Sequence, residues 1–425
     1  MSVLLGSDSV AMRHKLLAGA FTRKRVLTFR VMAILLLAKG MKSLQLSLNE
    51  FIPKLGLAVP TVSNAAYSKA RAKFRHTAFI EFNQEAVVKT MYEDGDYQTW
   101  KGLRTLAVDG SKVMLPTNDE TMKEFGVLRY DNGAGAAGEH TYAVASVLYD
   151  VLNRVAIDAA LAPAHAYEVD LAAGHLGHTK VGDLVIYDRG YCSYRMMALA
   201  SQAQGDFLIR CPSGRFNVAT DMLLGNGPDD VVVTLTAPAG FSKDPSHQGL
   251  PVTLTVRFVR VALDNGEYEV LATSLLDQHV YTLDDFKDLY WLRWGVETFY
   301  GILKTRLGLE NFSGLSAESI RQDFYAAVLL TGIESILTED AEEQLEQQRG
   351  GHPKKVNKAV SFNAIKYRAF ELFMGSASPE DTLEELTELF TTNPTLIRRD
   401  RKPPRGNPSS HQLLGFWKRK RKAVF

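Results

Sequence analysis

The stretch Tyr290-Trp-Leu-Arg293-Trp-Gly-Val-Glu297-Thr-Phe-Tyr-Gly-Ile-Leu-Lys304 constrains this chain more than any other segment. On an α-helix advancing about 100° per residue, offsets of 0, 3, 7 and 14 residues fall within roughly 60° of one another. Tyr290, Arg293, Glu297 and Lys304 are therefore predicted to line one narrow polar stripe. Leu289, Leu292, Val296, Phe299, Leu303 and Leu307 form a separate apolar face for packing on a core. Thr282 with Asp285 offers a capping-box-like start, and Gly308 a C-cap. An acid held between cations suggests metal and phosphate chemistry. The ordinary alternative is a solvated Arg293–Glu297 pair, which is common and weak. Tyr290, Trp291, Trp294 and Tyr300 weigh against it, because a solvated face has little use for four aromatic residues.

A lone carboxylate cannot hold a catalytic ion, and two aspartates stand out as partners. Arg104-Thr-Leu-Ala-Val-Asp109-Gly-Ser reads as an apolar strand ending in an acid, with a glycine that allows a sharp exit. Asp183-Leu-Val-Ile-Tyr-Asp188-Arg-Gly-Tyr repeats the design. Either aspartate alone could be an Asx-turn residue capping a strand exit. Two such strand ends together with Glu297 point to side chains converging on a crevice.

Asp109 in a VDGS context, Asp188 in YDRGY and the Y-x2-R-x3-E-x6-K spacing together resemble bacterial insertion-sequence transposases of the DDE superfamily, in the branch marked by the YREK signature. The likeness is clear from Ala107 to Lys304. It implies an α/β fold: a ribonuclease-H-like mixed-sheet core interrupted by an antiparallel β insertion and flanked by helical N- and C-terminal regions. It also implies that Asp109, Asp188 and Glu297 are catalytic acids holding two Mg²⁺ (or Mn²⁺) ions, with Asp109 bridging them. Tyr290, Arg293, Trp294 and Lys304 become contacts to the DNA end. The implied reaction nicks transposon ends and joins the freed 3′ hydroxyl to target DNA, with use of a hairpin left open. The implied partners are double-stranded inverted-repeat ends and target DNA, held in a synaptic dimer in the bacterial cytoplasm at the nucleoid. In relatives that use a hairpin, a tryptophan of the insertion holds a flipped base. Residues 205–281 contain none, carrying Phe216, Phe241, Phe258 and Tyr268 instead, which leaves Trp294 for stacking.

Read independently, the residues suit such a core. Thr105–Asp109, Thr141–Tyr149, Arg154–Ala162, Leu184–Asp188 and Phe207–Ile209 are predicted strands, with helices at Glu168–Gly174 and Met196–Gln204. Val231–Leu235, Val252–Val261 and Tyr268–Leu275 alternate in the manner of antiparallel strands. The expected division is a helical DNA-binding region at 1–95, catalytic core at 96–204 and 282–335, a β-rich insertion at 205–281, and a helical region with a basic tail at 336–425.

Overall charge is balanced, with 49 Lys+Arg against 48 Asp+Glu, but its distribution is not. Residues 11–90 contain fourteen Lys/Arg and three Glu, and Arg398–Phe425 carries ten Lys/Arg and one Asp, including the run Lys418–Lys422. Basic ends suit a protein that grips a polyanion longer than its active site. Phe29–Leu37 reads as an apolar helix, and Val62–Lys73 as a small-residue helix with cations on one side, able to track phosphates or to serve as an ordinary bundle helix. The terminal basic run is equally readable as a solvated tail.

Other classes find little support. No stretch approaches 18 apolar residues, so no membrane span is expected, and no secretory signal is evident. Cys192 and Cys211 suggest a reduced protein without a disulfide framework, and His175 with His178 lacks a third metal ligand. No phosphate-binding glycine loop is present. Two rival functions remain: a catalytically inert transposon-derived DNA-binding regulator, and a carboxylate-dependent hydrolase of sugars. The complete acid set argues against the first, and the basic ends against the second.

Overall fold

The computed structural model describes all of the chain except residues 23–25, 41, 58–60, 132–136, 265, 349–351, 376–377 and 398–425. The basic run Lys418–Lys422 thus lies outside the described residues. The main strands are β1 (Arg104–Met114), β2 (Val127–Asp131), β3 (Ala137–Asp150), β4 (Val155–Pro163), β5 (Asp183–Tyr187), β6 (Asp206–Cys211), β7 (Asp230–Thr236), β8 (Thr253–Ala262) and β9 (Tyr268–Thr273). The chain divides into two compact units: Met1–Gly95, Lys112–Ala143 and Gly301–Phe425 form one, and Asp96–Ser111 with Val144–Tyr300 the other.

The second unit is built on a mixed sheet. β5 is buried at every position, and its Leu-Val-Ile-Tyr run suits a strand covered on both faces. It pairs in parallel with β1 on one side and β6 on the other. β3 lies beyond β1 and also pairs with β4. The turn between β3 and β4 is held by Asp150, whose Oδ1 accepts from the backbone N–H groups of Leu152 and Asn153 at 3.1 and 2.9 Å. Where β1 and β5 begin, Arg104 donates to both carboxylate oxygens of Asp183 at 2.7 and 2.6 Å, so a buried charge pair is fully engaged.

β7, β8 and β9 form the antiparallel ladder predicted from their alternation. The ladder continues the core sheet, because β9 also pairs antiparallel with β6. Arg257 is fully buried in it. Its guanidinium pairs with Asp230 at 2.8 and 2.6 Å and donates to the carbonyls of Leu275 and Tyr281 at 3.2 and 2.8 Å. These bonds tie the ladder to the segment that enters the Asp285–Trp291 helix.

Periodicity predicts one continuous helix through Tyr290–Lys304. The chain instead forms helices Asp285–Trp291 and Trp294–Gly301, followed by a π-turn at Ile302–Arg306. Around Arg293 the backbone bonds tighten to three-residue spacing, Arg293 N to Tyr290 O and Val296 N to Arg293 O, both 3.1 Å. Past Gly301 they widen, with Leu307 N reaching Ile302 O at 3.0 Å. Such local changes of pitch rotate side chains relative to an ideal helix. At the start, Thr282 N and Oγ1 both donate to Asp285 at 2.7 and 2.8 Å, which is the carboxylate half of a capping box. Gly308 takes the left-handed φ of +58° that a helix C-cap favours.

The first unit is largely helical, with β2 paired antiparallel to the opening residues of β3. Its axis is the 21-residue helix Ala317–Leu337, which packs on Phe29–Leu37 and Thr77–Asn83. The cationic helix reading of 62–73 holds for Lys69 and Lys73, which are exposed. Arg71 instead turns inward, donating to Gln322, Ser313, the Ser319 carbonyl and Asp323 at 2.7–2.8 Å. A mixed α/β core with helical flanking regions is therefore the architecture observed.

Candidate active site

The register of two parallel strands carries the site. Val108 lies opposite Tyr187, so Asp109 and Asp188 are each the next residue along neighbouring strands, which run roughly 4.8 Å apart. β1 does not end at Asp109 as its glycine suggested; it runs on through Gly110 to Met114. The Gly110 N–H donates to Asp109 Oδ1 at 2.9 Å. Asp188 Oδ1 accepts from the Tyr290 hydroxyl at 3.1 Å.

Glu297 reaches the same unit from the Trp294–Gly301 helix, which is fastened three residues further on. The buried Tyr300 hydroxyl lies 3.0 Å from the Asp109 carbonyl and 3.1 Å from that of Ala145, linking the helix to β1 and β3. Phe299 packs on Tyr149 with ring centroids 4.8 Å apart, and Gly295 lies against Val151. Arg293, 6 % exposed, donates through Nη2 to Glu297 Oε1 at 2.8 Å.

Electrostatics couple these groups. Burial pushes the Asp109 carboxyl up to about 7; the Gly110 N–H and the Arg293 guanidinium pull it back, while Glu297 and Asp188 push it further. Burial also opposes the charge on Arg293, but Tyr290, Glu297 and Asp188 outweigh it and raise its pKa. Burial first, then Asp188, raises the Tyr290 phenol, which stays a hydrogen-bond donor.

Asp109, Asp188, Glu297, Tyr290 and Arg293 thus fall in one compact unit and act on one another. Trp294 adjoins them: the Arg293 guanidinium sits 5.2 Å from its ring and 5.7 Å from that of Tyr290. Trp294 is 39 % exposed and Trp291 69 %, with their ring centroids 5.9 Å apart. Lys304 belongs to the first unit, where its ammonium donates to the Lys112 carbonyl at 2.6 Å. Among the described residues, no group of three or more His, Cys, Asp and Glu is drawn together tightly enough to hold a metal ion.

His175 and His178 serve the fold. His175 is buried between Ser146 on β3 and Asp158 on β4, at 2.9 and 2.6 Å, while His178 lies 3.6 Å from Asp158. This clamp fixes the Glu168–His175 helix to the sheet. Cys192 and Cys211 are buried thiols with sulfurs 3.1 Å apart.

Two groups beside the acids escaped sequence reasoning. Glu168, the first residue of its helix, places its carboxyl against Gly110. Tyr191, the last residue of the YDRGY motif, is buried beside the acids with a hydroxyl that finds no hydrogen-bond partner. An acid opening a helix predicted between two core strands was the available signal for the first.

Residues 100–332, more than half of the chain, match the transposase DDE domain family, and the chain belongs to that family. It is a DNA transposase, an enzyme that cleaves and transfers DNA strands. No curated protein matches it. Among solved structures, a piggyBac transposase synaptic complex with hairpin DNA is similar at a TM-score of 0.39 and 10 % identity, over 96 % of this chain and 84 % of that one.

Proposed function

We propose that Asp109, Asp188 and Glu297 are the catalytic acids of this transposase and hold two divalent ions, Mg²⁺ or Mn²⁺, at which transposon ends are cut and joined to target DNA. The observation that carries this reading is the strand register: it sets Asp109 beside Asp188, on the sheet to which Tyr300 fastens the Glu297 helix. The donor chemistry suits such ions, since hard cations prefer carboxylate oxygen, although among the described residues the acids are not drawn together around an ion in this structure. Burial above all, then the neighbouring acids Glu297 and Asp188, push Asp109 up to about 7, an environment in which a bound cation would favour the ionised carboxylate. When bound, such ions activate the attacking hydroxyl or water and stabilise charge on the leaving oxygen.

The chain's own residues prepare that chemistry. Tyr290 orients Asp188, and Arg293 orients Glu297 while keeping a buried Nε–H without a partner. That donor and the planar guanidinium suit a phosphate oxygen. Trp294, with Trp291 beside it, offers an exposed aromatic surface for an unstacked base of the DNA end. Lys304, in the first unit, supplies a cation for a DNA phosphate. Residues 1–95 supply further duplex contacts, and two copies synapse two ends at the nucleoid of a bacterial cell.

The test is strand cleavage on the inverted repeats that flank the coding region. Asp109→Asn, Asp188→Asn and Glu297→Gln are each expected to lose Mg²⁺-dependent nicking by at least a thousandfold, with end binding retained within a few-fold. Wild-type cutting by any one of them would reject its assignment.

A further inference from the structure

Gly110 follows Asp109, yet its backbone is ordinary extended strand and no turn requires a glycine there. Its missing side chain has a different effect. A Cβ at that position would lie 3.0 Å from Cδ and Oε2 of Glu168 and 3.3 Å from Oε1, so the carboxyl group crowds the space a side chain would take. The same glycine donates its N–H to the Asp109 carboxylate. Glu168 therefore lies against the residue whose N–H holds the Asp109 carboxylate.

The element that carries Glu168 is firmly held. At its far end His175 is clamped by Ser146 and Asp158, and in its first turn Asp170 pairs with Arg195 at 2.7 Å. The helix also packs on the Arg189–Tyr191 turn that follows Asp188. Within that turn, Tyr191 is 3 % exposed and its hydroxyl has no partner. Burial above all, then the fields of Asp109, Glu168 and Asp188, keep that hydroxyl protonated. A buried hydroxyl donor beside three carboxylates, left without an acceptor, is costly unless something else completes the arrangement.

We propose that Glu168 is a fourth carboxylate of the ion site, admitted beside Asp109 by Gly110, and that the Tyr191 hydroxyl orients a carboxylate there once an ion is bound. The inference rests on the assignment of Asp109 as an ion ligand. Glu168 is exposed to solvent, which leaves its oxygens accessible to an entering cation. A merely structural acid at a helix start would act through the helix dipole and leave ion affinity untouched.

Titration of Mn²⁺ into the full-length chain without DNA, followed calorimetrically at pH 7.5, separates these roles. Glu168→Gln is expected to weaken Mn²⁺ binding about tenfold or more, the usual cost of losing a ligand or its immediate support, with the melting temperature in EDTA unchanged. Tyr191→Phe, which keeps the ring, is expected to weaken it several-fold. Asp109→Asn is the reference and should lose binding. If Asp109→Asn loses Mn²⁺ while Glu168→Gln binds like wild type, the fourth-ligand proposal is overturned and the three-acid reading stands. If Asp109→Asn and wild type bind alike, or neither binds, the underlying ion assignment fails and this proposal falls with it.

Discussion

At Asp109, burial and neighbouring acids decide a protonation state, and the consequence reaches stability. Its carboxyl titrates near 3.8 when unperturbed and about 7 in the folded chain. Folding therefore takes up a proton between about pH 4 and 7 in the absence of metal. Stability present below pH 4 is lost as pH rises through that window. Asp109→Asn removes the titration, so variant and wild type are expected to melt together near pH 4. By pH 8 in EDTA the variant should be the more stable, by up to about 4 kcal/mol at 1.36 kcal/mol per pKa unit. A melting difference that stays constant from pH 4 to 8 would contradict this account of the site. The acids themselves were legible, because each closes a short apolar run or sits at a fixed helical spacing. The environment that raises Asp109 was not, since it depends first on burial and then on Glu297 and Asp188, all supplied by segments far along the chain.

Among the elements, most strands and helices were readable from residue pattern. β5 is a short buried run, and the Phe29–Leu37 helix coincides with its apolar segment. The signature helix was not fully readable: the same spacing that predicts a single stripe also fits a helix tightened near Arg293 and widened near Lys304. Arg71 shows a related limit, since a cation among small residues reads as solvated until Asp323 and Gln322 come to meet it. Helix packing in the first unit is close enough to test. A Cβ on Gly332 would lie 2.5 Å from Val87 Cγ1, and a valine cannot easily turn that methyl aside. Gly332→Ala is therefore expected to destabilise by about 1–3 kcal/mol despite better helix propensity. Adding Val87→Ala should recover part of the loss, as a urea-melt double-mutant cycle would reveal. Equal midpoints for Gly332→Ala and wild type would mean that the two elements have room to part.

For the whole molecule, the near-zero net charge hides a division of labour. The excess of eleven positive charges in residues 11–90 predicts DNA binding dominated by phosphate contacts. Affinity for duplex DNA is expected to fall linearly on a log–log plot against salt, by about a thousandfold between 50 and 200 mM for some six contacts. A flat salt response would remove the basic N-terminal region from the interface. Among the described residues, no helix is long and apolar enough to cross a membrane.

Sequence by itself determined the alternation of buried runs with helices, the Y-x2-R-x3-E-x6-K spacing beside two aspartates that follow apolar runs, and the family they mark. Those features are local, because hydrophobic period and motif spacing are properties of short segments. Tertiary structure alone decided which acids are neighbours, since strand register aligns Asp109 with Asp188 and a tyrosine hydroxyl fastens the Glu297 helix to that sheet. It also decided that Gly110 makes room for a carboxylate, because a missing side chain acquires meaning only from what another segment places in the gap.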